Sequence, residues 1–165
     1  MSRMGAVIGA AAVALFVTAS AQAQDSALSV QANQAFLAAN AKKSGVHVRP
    51  SGLQYRIIKN GFGKTPHATD SVEVLYKGTL ITGKVFDQTE PELPAKFVVN
   101  GVIPGWTEAL EIMREGDEWE LVIPANLAYG ARGAPPVIPP NQTLVFDVTL
   151  LKVTPAPKDQ DQSSQ

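Results

Sequence analysis

Between Leu53 and Leu150 the chain repeats one device: a short run in which every second residue is apolar, closed by a turn. Leu53, Tyr55 and Ile57 alternate with polar neighbours before Asn60-Gly61. Val72, Val74 and Tyr76 run on to Gly78, with a Thr82-Gly83 turn behind them. Phe97, Val98 and Val99 precede Asn100-Gly101; Trp119, Leu121 and Ile123 form a fourth run, and Leu144, Phe146, Val148 and Leu150 a fifth. A period of two puts alternate side chains on opposite faces of a strand, and Asn-Gly or Thr-Gly between such runs marks antiparallel turns. One segment breaks the period. Pro104-Gly105 leads into Trp106–Glu115, where Ala109, Leu110, Ile112 and Met113 make a helical stripe and Gly116 supplies a stop. With 165 residues, 45% of them hydrophobic, there is material for one real core and not for two large ones. The expected fold class is therefore α+β: about five antiparallel strands around one short helix.

The ends read differently. Met1–Ala23 has a positive start at Arg3, a run of small and apolar residues over Met4–Ala19, and the A-x-A pattern Ala21-Gln22-Ala23. That run is shorter than the ~20 residues a membrane-spanning helix needs, which favours a signal peptide cleaved after Ala23 over a retained anchor. The expected location is exported, in the periplasm of a Gram-negative cell. Residues 24–49 read as an extension. Within it Gln31–Lys43 has helical composition, a small apolar face at Phe36 and Leu37, and Gly45 as its stop. So short a helix buries little alone and must pack on the body or pair with a copy of itself. Residues 50–154 form the main domain, and 155–165 are polar, proline-containing and expected to be a disordered tail.

Several chemistries drop out. A formal net charge of −1 lacks the basic footprint of nucleic-acid binding. The absence of cysteine removes disulfides, thiolate catalysis, zinc ribbons and a lipidated N-terminal cysteine. His47 and His67 lie in loops without a second ligand nearby, and read as solvent-exposed. Gly63-Lys64-Thr65 imitates the end of a phosphate-binding loop, but Ile58 stands where that loop needs its first glycine. Neither metalloprotease, serine-hydrolase nor calcium-loop patterns occur, and Asn141-Gln142-Thr143 is no more than a three-residue glycosylation match.

What remains is aromatic. Tyr76, Phe86, Phe97, Trp106, Tyr129 and Phe146 all fall near turns. Phe97 reads as core. Trp106 stands at a helix start where an aliphatic residue would fill a core as well, and an indole there suits the floor of a cleft. The stretch Ala125–Gln142 carries Pro135, Pro136, Pro139 and Pro140, with Pro124 just before it, together with Leu127, Tyr129, Val137 and Ile138. A long proline-braced loop with apolar residues reads as one wall of a binding site rather than slack chain. Its proline run also fits a ligand for a proline-recognising domain, though Val137 and Ile138 favour self-packing.

The runs Val74-Leu75-Tyr76-Lys77-Gly78, Gly83-Lys84-Val85-Phe86-Asp87, Val102-Ile103-Pro104-Gly105-Trp106, Ala128-Tyr129-Gly130, Val137-Ile138-Pro139-Pro140-Asn141 and Thr143-Leu144-Val145-Phe146-Asp147 resemble, in order and spacing, the FKBP-type peptidyl-prolyl cis/trans isomerases. Phe36-Leu37-Ala38-Ala39-Asn40 and Ser51-Gly52-Leu53-Gln54-Tyr55 are similar to the exported bacterial branch related to the macrophage infectivity potentiators. The resemblance implies a five-stranded antiparallel sheet wrapped around a short helix, with a pocket between them for an X-Pro dipeptide. Trp106 would be its floor. Phe86, Phe146, Ile138 and the Val102-Ile103 pair would be its walls, with Tyr76 and Asp87 on the polar side and the Tyr129 hydroxyl donating to the bound peptide.

The implied chemistry needs no cofactor and no metal. The implied partners are proline-containing unfolded or nascent exported polypeptides, with macrolide ligands fitting the same pocket. The sequence departs from the family at Ala95, where a larger side chain often closes the rim, and over Asp87–Pro94, which is one residue short and acidic through Glu90 and Glu92. Leu127 and Ala134 also replace polar or aromatic types, and the long dimerising helix of the infectivity-potentiator branch is mostly absent. Two rival readings stand beside the isomerase: a holdase that grips unfolded chains without turnover, and a scaffold whose proline-rich loop recruits a partner.

Overall fold

A computed structural model describes residues 26–158; the expected signal peptide and the last seven residues of the expected tail lie outside them. Helix α1 spans Val30–Asn40. Seven strands follow in one antiparallel sheet: β1 (Val46–Val48), β2 (Gln54–Lys59), β3 (Ser71–Leu80), β4 (Val85–Gln88), β5 (Ala95–Val98), β6 (Glu118–Ile123) and β7 (Leu144–Thr154). A short helix, α2, occupies Pro104–Leu110 between β5 and β6. The spatial order is β1-β2-β6-β7-β3-β4, with β5 pairing the same partner, β3, beyond the end of β4.

The α+β expectation holds, with more strands than the five periodic runs predict. The two additions are short. β1 is three residues long, below what alternation reveals, and pairs Val46–Val48 with Gln54–Arg56. β4 lies beyond the Thr82-Gly83 turn, and Gly83 takes φ +86°, a backbone that glycine adopts without steric cost. Val99, expected in a strand, opens a 3-10 turn over Val99–Gly101 instead.

The periodic runs deliver the core. On β7, Leu144, Phe146, Val148 and Leu150 are buried while Asp147 and Leu151 are exposed. A bulge opposite Glu73 and Val74 then resets the phase, so that Val153 turns inward again. α2 is shorter than the Trp106–Glu115 expected. It begins with proline at its first turn, where the missing N–H is no loss, and ends at Leu110, so Ile112 and Met113 pack from the turn behind it. Trp106, Ala109, Leu110 and Met113 join Leu53, Val74, Leu121, Ile123 and Val148 in one buried cluster. Each such large apolar side chain contributes about 1.5–3 kcal/mol on burial. Gly105 lets the helix approach the sheet: a β-carbon there would lie 2.5 Å from Ile123 Cγ2.

α1 packs on the body through polar groups. Ser29 caps it, its Oγ accepting from the Ala32 N–H at 3.1 Å. Its two buried residues are Asn33 and Asn40, seven apart and therefore on one face. Asn40 Nδ2 donates to Gln54 Oε1 at 2.9 Å, and Gln54 Nε2 donates to the Leu37 carbonyl at 3.0 Å.

Candidate functional site

The site is assembled from elements far apart in the chain. β3 supplies Tyr76, β4 supplies Phe86 and Asp87, β5 supplies Phe97, and β7 supplies Phe146. The turn from Gly101 through Ile103 leads into α2 and Trp106, while Tyr129 comes from the loop after β6. These residues line one open cavity of about 480 Å³, within the range of small-molecule and peptide pockets.

Trp106 lies at the centre, only 4% exposed. Tyr76, Phe146 and Phe97 stand roughly perpendicular to it, with ring centroids 5.2, 5.3 and 5.8 Å away and interplanar angles of 90°, 86° and 82°. Phe86 stands perpendicular to Phe146 at 5.5 Å. Edge-to-face contacts set the positive ring edge against the negative ring face, and each is worth about 0.5–1.5 kcal/mol beyond the area it buries. The floor is therefore held from three sides by neighbours that are themselves anchored in the sheet.

The polar side is small. The Tyr76 hydroxyl donates to Asp87 Oδ2 at 2.5 Å. Burial, and then the hydrogen bond and charge of Asp87, push the Tyr76 phenol well above its usual value. It therefore keeps its proton throughout the physiological range. Thr89 fixes the backbone beneath it: the Tyr76 N–H donates to Thr89 Oγ1 at 3.0 Å, and the Thr89 N–H donates to the Tyr76 carbonyl at 2.9 Å. Tyr129 differs from the other rings. It is 43% exposed, and among the described residues nothing pairs with its hydroxyl. A donor at the mouth of an apolar cavity is left free for whatever enters.

Of the nine residues named from the sequence, eight line this cavity: Tyr76, Phe86, Asp87, Val102, Ile103, Trp106, Tyr129 and Phe146. Ile138 does not. It is 3% exposed and packs in the core, where it pairs with Ala134 and closes the turn behind Tyr129. Its aliphatic bulk braces the loop from within rather than facing the opening. Phe97, expected as core, is half-buried and lines the cavity, as does Gly101. The signal for Phe97 was the alternation inside β5, where Lys96 and Val98 are exposed while Ala95 and Phe97 turn inward. His47 and His67 are exposed as expected, with His47 stacked on Tyr55 at 5.0 Å. Among the described residues no group of three histidine, aspartate or glutamate side chains is placed to hold a metal ion.

A family model described as FKBP-type peptidyl-prolyl cis-trans isomerase matches residues 63–151, and one described as the domain amino terminal to it matches residues 4–57. The chain is 56% identical over 119 residues to the FKBP-type 22 kDa peptidyl-prolyl cis-trans isomerase of Escherichia coli, covering 72% of this chain and 58% of that one. It is 54% identical over 123 residues to a Legionella longbeachae protein named outer membrane protein MIP, covering 74% of this chain and 53% of the relative. It thus spans little more than half the length of these curated relatives. A crystal structure of a peptidyl-prolyl cis-trans isomerase from Pseudomonas syringae superposes with a TM-score of 0.72 at 41% identity, covering 76% of this chain and 92% of the other. With the aromatic cavity formed by the same runs that carried the resemblance, the chain belongs to the family of FKBP-type peptidyl-prolyl cis-trans isomerases.

Proposed function

We propose that this protein is a peptidyl-prolyl cis/trans isomerase that takes X-Pro segments of unfolded, exported polypeptides into the Trp106 cavity. The observation that carries the reading is the convergence of five rings on one hollow, with a single free hydroxyl at its mouth. Rotation about an X-Pro bond faces a barrier of about 18–20 kcal/mol from amide resonance, and uncatalysed exchange takes tens to hundreds of seconds. In the twisted transition state the C–N double-bond character is gone, and with it much of the amide dipole. A cavity walled by aromatic carbon solvates the planar, polar amide poorly and the twisted one well. Each ~1.4 kcal/mol of that difference is a tenfold rate gain.

The roles follow from position. Trp106 floors the proline ring, and Phe86, Phe146, Val102 and Ile103 exclude water around it, with Phe97 closing the far side. The Tyr129 hydroxyl donates to a carbonyl of the bound peptide and fixes its approach. Asp87 orients Tyr76 and puts negative charge on the polar side as the imide nitrogen becomes pyramidal. In this reading residues 50–154 are the catalytic unit, residues 24–49 an extension whose β1 joins the sheet, and residues 155–165 a tail. Macrolides fit the same apolar hollow. Export rests on the leader pattern of residues 1–23; among the described residues no helix is long and apolar enough to cross a membrane.

A protease-coupled assay on a proline peptide tests the reading, using protein whose fold is verified by circular dichroism. Turnover that collapses in Trp106→Ala supports it. Folded wild-type protein without turnover refutes it, and suppression of aggregation in that same inactive protein would put the holdase in its place.

A further inference from the structure

The loop that carries Tyr129 is tied to α1 by buried amides that the chemistry above does not use. Asn33 and Gln142 are 3% and 4% exposed, and Thr143 is 1% exposed. The Thr143 N–H donates to Asn33 Oδ1 at 2.8 Å, and Asn33 Nδ2 donates to Gln142 Oε1 at 3.2 Å. Gln142 Nε2 in turn donates to the Leu28 carbonyl, just before the helix, and to the Pro140 carbonyl, both at 2.9 Å. The next residue back, Asn141, sits in the left-handed region at φ +60°, which asparagine tolerates better than most residues. That conformation points its N–H at the Gly130 carbonyl, 2.8 Å away, one residue beyond Tyr129. The Gly133 N–H then closes on the Tyr129 carbonyl at 3.1 Å. Hydrogen bonds joined by short backbone segments therefore connect a helix outside the catalytic unit to the backbone of Tyr129.

Ile138 seats the loop on the core, but between α1 and the loop apolar contact gives way to a gap. A second cavity of about 460 Å³, lined by Asn33, Leu37, Asn126, Gly130 and Asn141 among others, separates α1 from the loop. The amides bridge beside that gap, so α1 holds its side of the loop by hydrogen-bond geometry rather than by contact area. A half-broken buried amide network leaves donors and acceptors unpaired, which makes an intermediate arrangement costly.

We infer that Asn33 and Gln142 are positioning residues for the isomerase, and that α1 acts as a clamp that fixes the Tyr129 loop at the cavity mouth. The inference rests on the reading of Tyr129 as the donor to bound peptide. Displacing such a donor costs at most the worth of its hydrogen bond, roughly 2–10-fold.

The test uses the full chain with two readouts. In hydrogen–deuterium exchange, Asn33→Ala should speed exchange of the Thr143, Asn141 and Gly133 amides by roughly tenfold or more, whereas Asn40→Ala, which cuts the other end of the same helix from Gln54, should leave Asn141 and Gly133 as they are. In the proline-peptide assay, Asn33→Ala should lower kcat/KM by roughly 2–10-fold. Asn33→Asp, which keeps the acceptor for Thr143, should recover part of the loss. In a Tyr129→Phe background the same Asn33→Ala change should have less than about a twofold effect, because its route of action is gone. Unchanged Asn141 and Gly133 exchange overturns the clamp, as does an Asn33→Ala loss of equal size in both backgrounds. Should Asn33→Ala fail to fold, Gln142→Met interrogates the same bonds from the loop side with the same two outcomes. Inactive wild-type protein would sink the isomerase reading alone, and the exchange measurement would still decide the clamp.

Discussion

Gly78→Ala adds one methyl group where the cavity has no room for it. Gly78 lies in the middle of β3, paired with Asp87 of β4 on one side and Phe146 of β7 on the other. A β-carbon there would stand 2.6 Å from Phe86 Cζ and 2.7 Å from Phe146 Cε1. Non-bonded carbons rest about 3.5–4.0 Å apart, so about 1 Å of displacement has to come from the two rings. Phe86 is half-exposed and can swing towards solvent. Phe146 is 5% exposed and has Trp106 5.3 Å away, so its movement presses on the floor. Overpacking of this kind costs about 1–3 kcal/mol, and replacing glycine inside a strand returns about 0.5–1 kcal/mol of it. The net loss of stability is on the order of 1 kcal/mol, a shift of about 2–4 °C in Tm for a chain of this size. Activity should fall much further, by tenfold or more in kcat/KM, because a 1 Å error in the walls acts on the step the cavity performs. Thermal melts and the proline-peptide assay on the same preparation read the two effects. Wild-type kcat/KM in a Gly78→Ala protein would refute the assignment of Phe86 and Phe146 as walls.

Trp106→Ala removes the buried floor, and should lower the unfolding free energy by about 3–5 kcal/mol in urea titrations while abolishing turnover. Tyr129→Phe deletes a hydroxyl from an exposed ring, so stability should stay within about 0.5 kcal/mol of wild type. Its proline-peptide affinity, measured by calorimetry, should drop by roughly 2–10-fold, the worth of one hydrogen bond. Asp70 gives a pH signature. Its carboxylate accepts from the His67 N–H at 2.8 Å and the Ala156 N–H at 2.9 Å, and these bonds hold it below the usual carboxylate range. A depressed folded-state value means that its stabilisation is complete above the unfolded value of about 3.9 and lost as pH falls through the folded one. Asp70→Asn should therefore melt below wild type at pH 7, and the two Tm values should converge as pH falls below about 4; a gap that stays constant into acid would contradict this.

Period two along β2, β3, β6 and β7 carried the core, because burial on one face of a sheet leaves a mark every second residue. The aromatic runs carried most of the cavity, since Tyr76, Trp106 and Phe146 sit at fixed distances from glycine and proline turns. What stayed hidden was set by partners remote in the chain. Asn33 reads as an ordinary helix residue, and only the fold reveals that Thr143, 110 positions away, donates to it. Ile138 and Phe97 exchanged places for a similar reason. Both are large and apolar, and which one faces the opening depends on how the proline loop folds back on Ala134 and how β5 meets β3, neither of which hydrophobicity encodes.

Tyr76, one wall of the cavity, falls at a gap in the sheet. Along one edge of β3, residues 71–74 pair with β5 and residues 77–79 pair with β4, but the segment 89–94 between those two strands leaves the ladder. Pro91 and Pro94 have no N–H to give it, which favours the departure. Tyr76 falls in the interval. Its backbone is satisfied by Thr89 instead of a strand, while on the other edge it remains paired with Val148 of β7. β3 is thus paired with a strand on one side and with a loop on the other at the residue whose ring stands perpendicular to Trp106. The short, acidic Asp87–Pro94 segment accordingly does structural work before any work on specificity: through Thr89 it fixes the backbone of Tyr76, whose ring packs against Trp106.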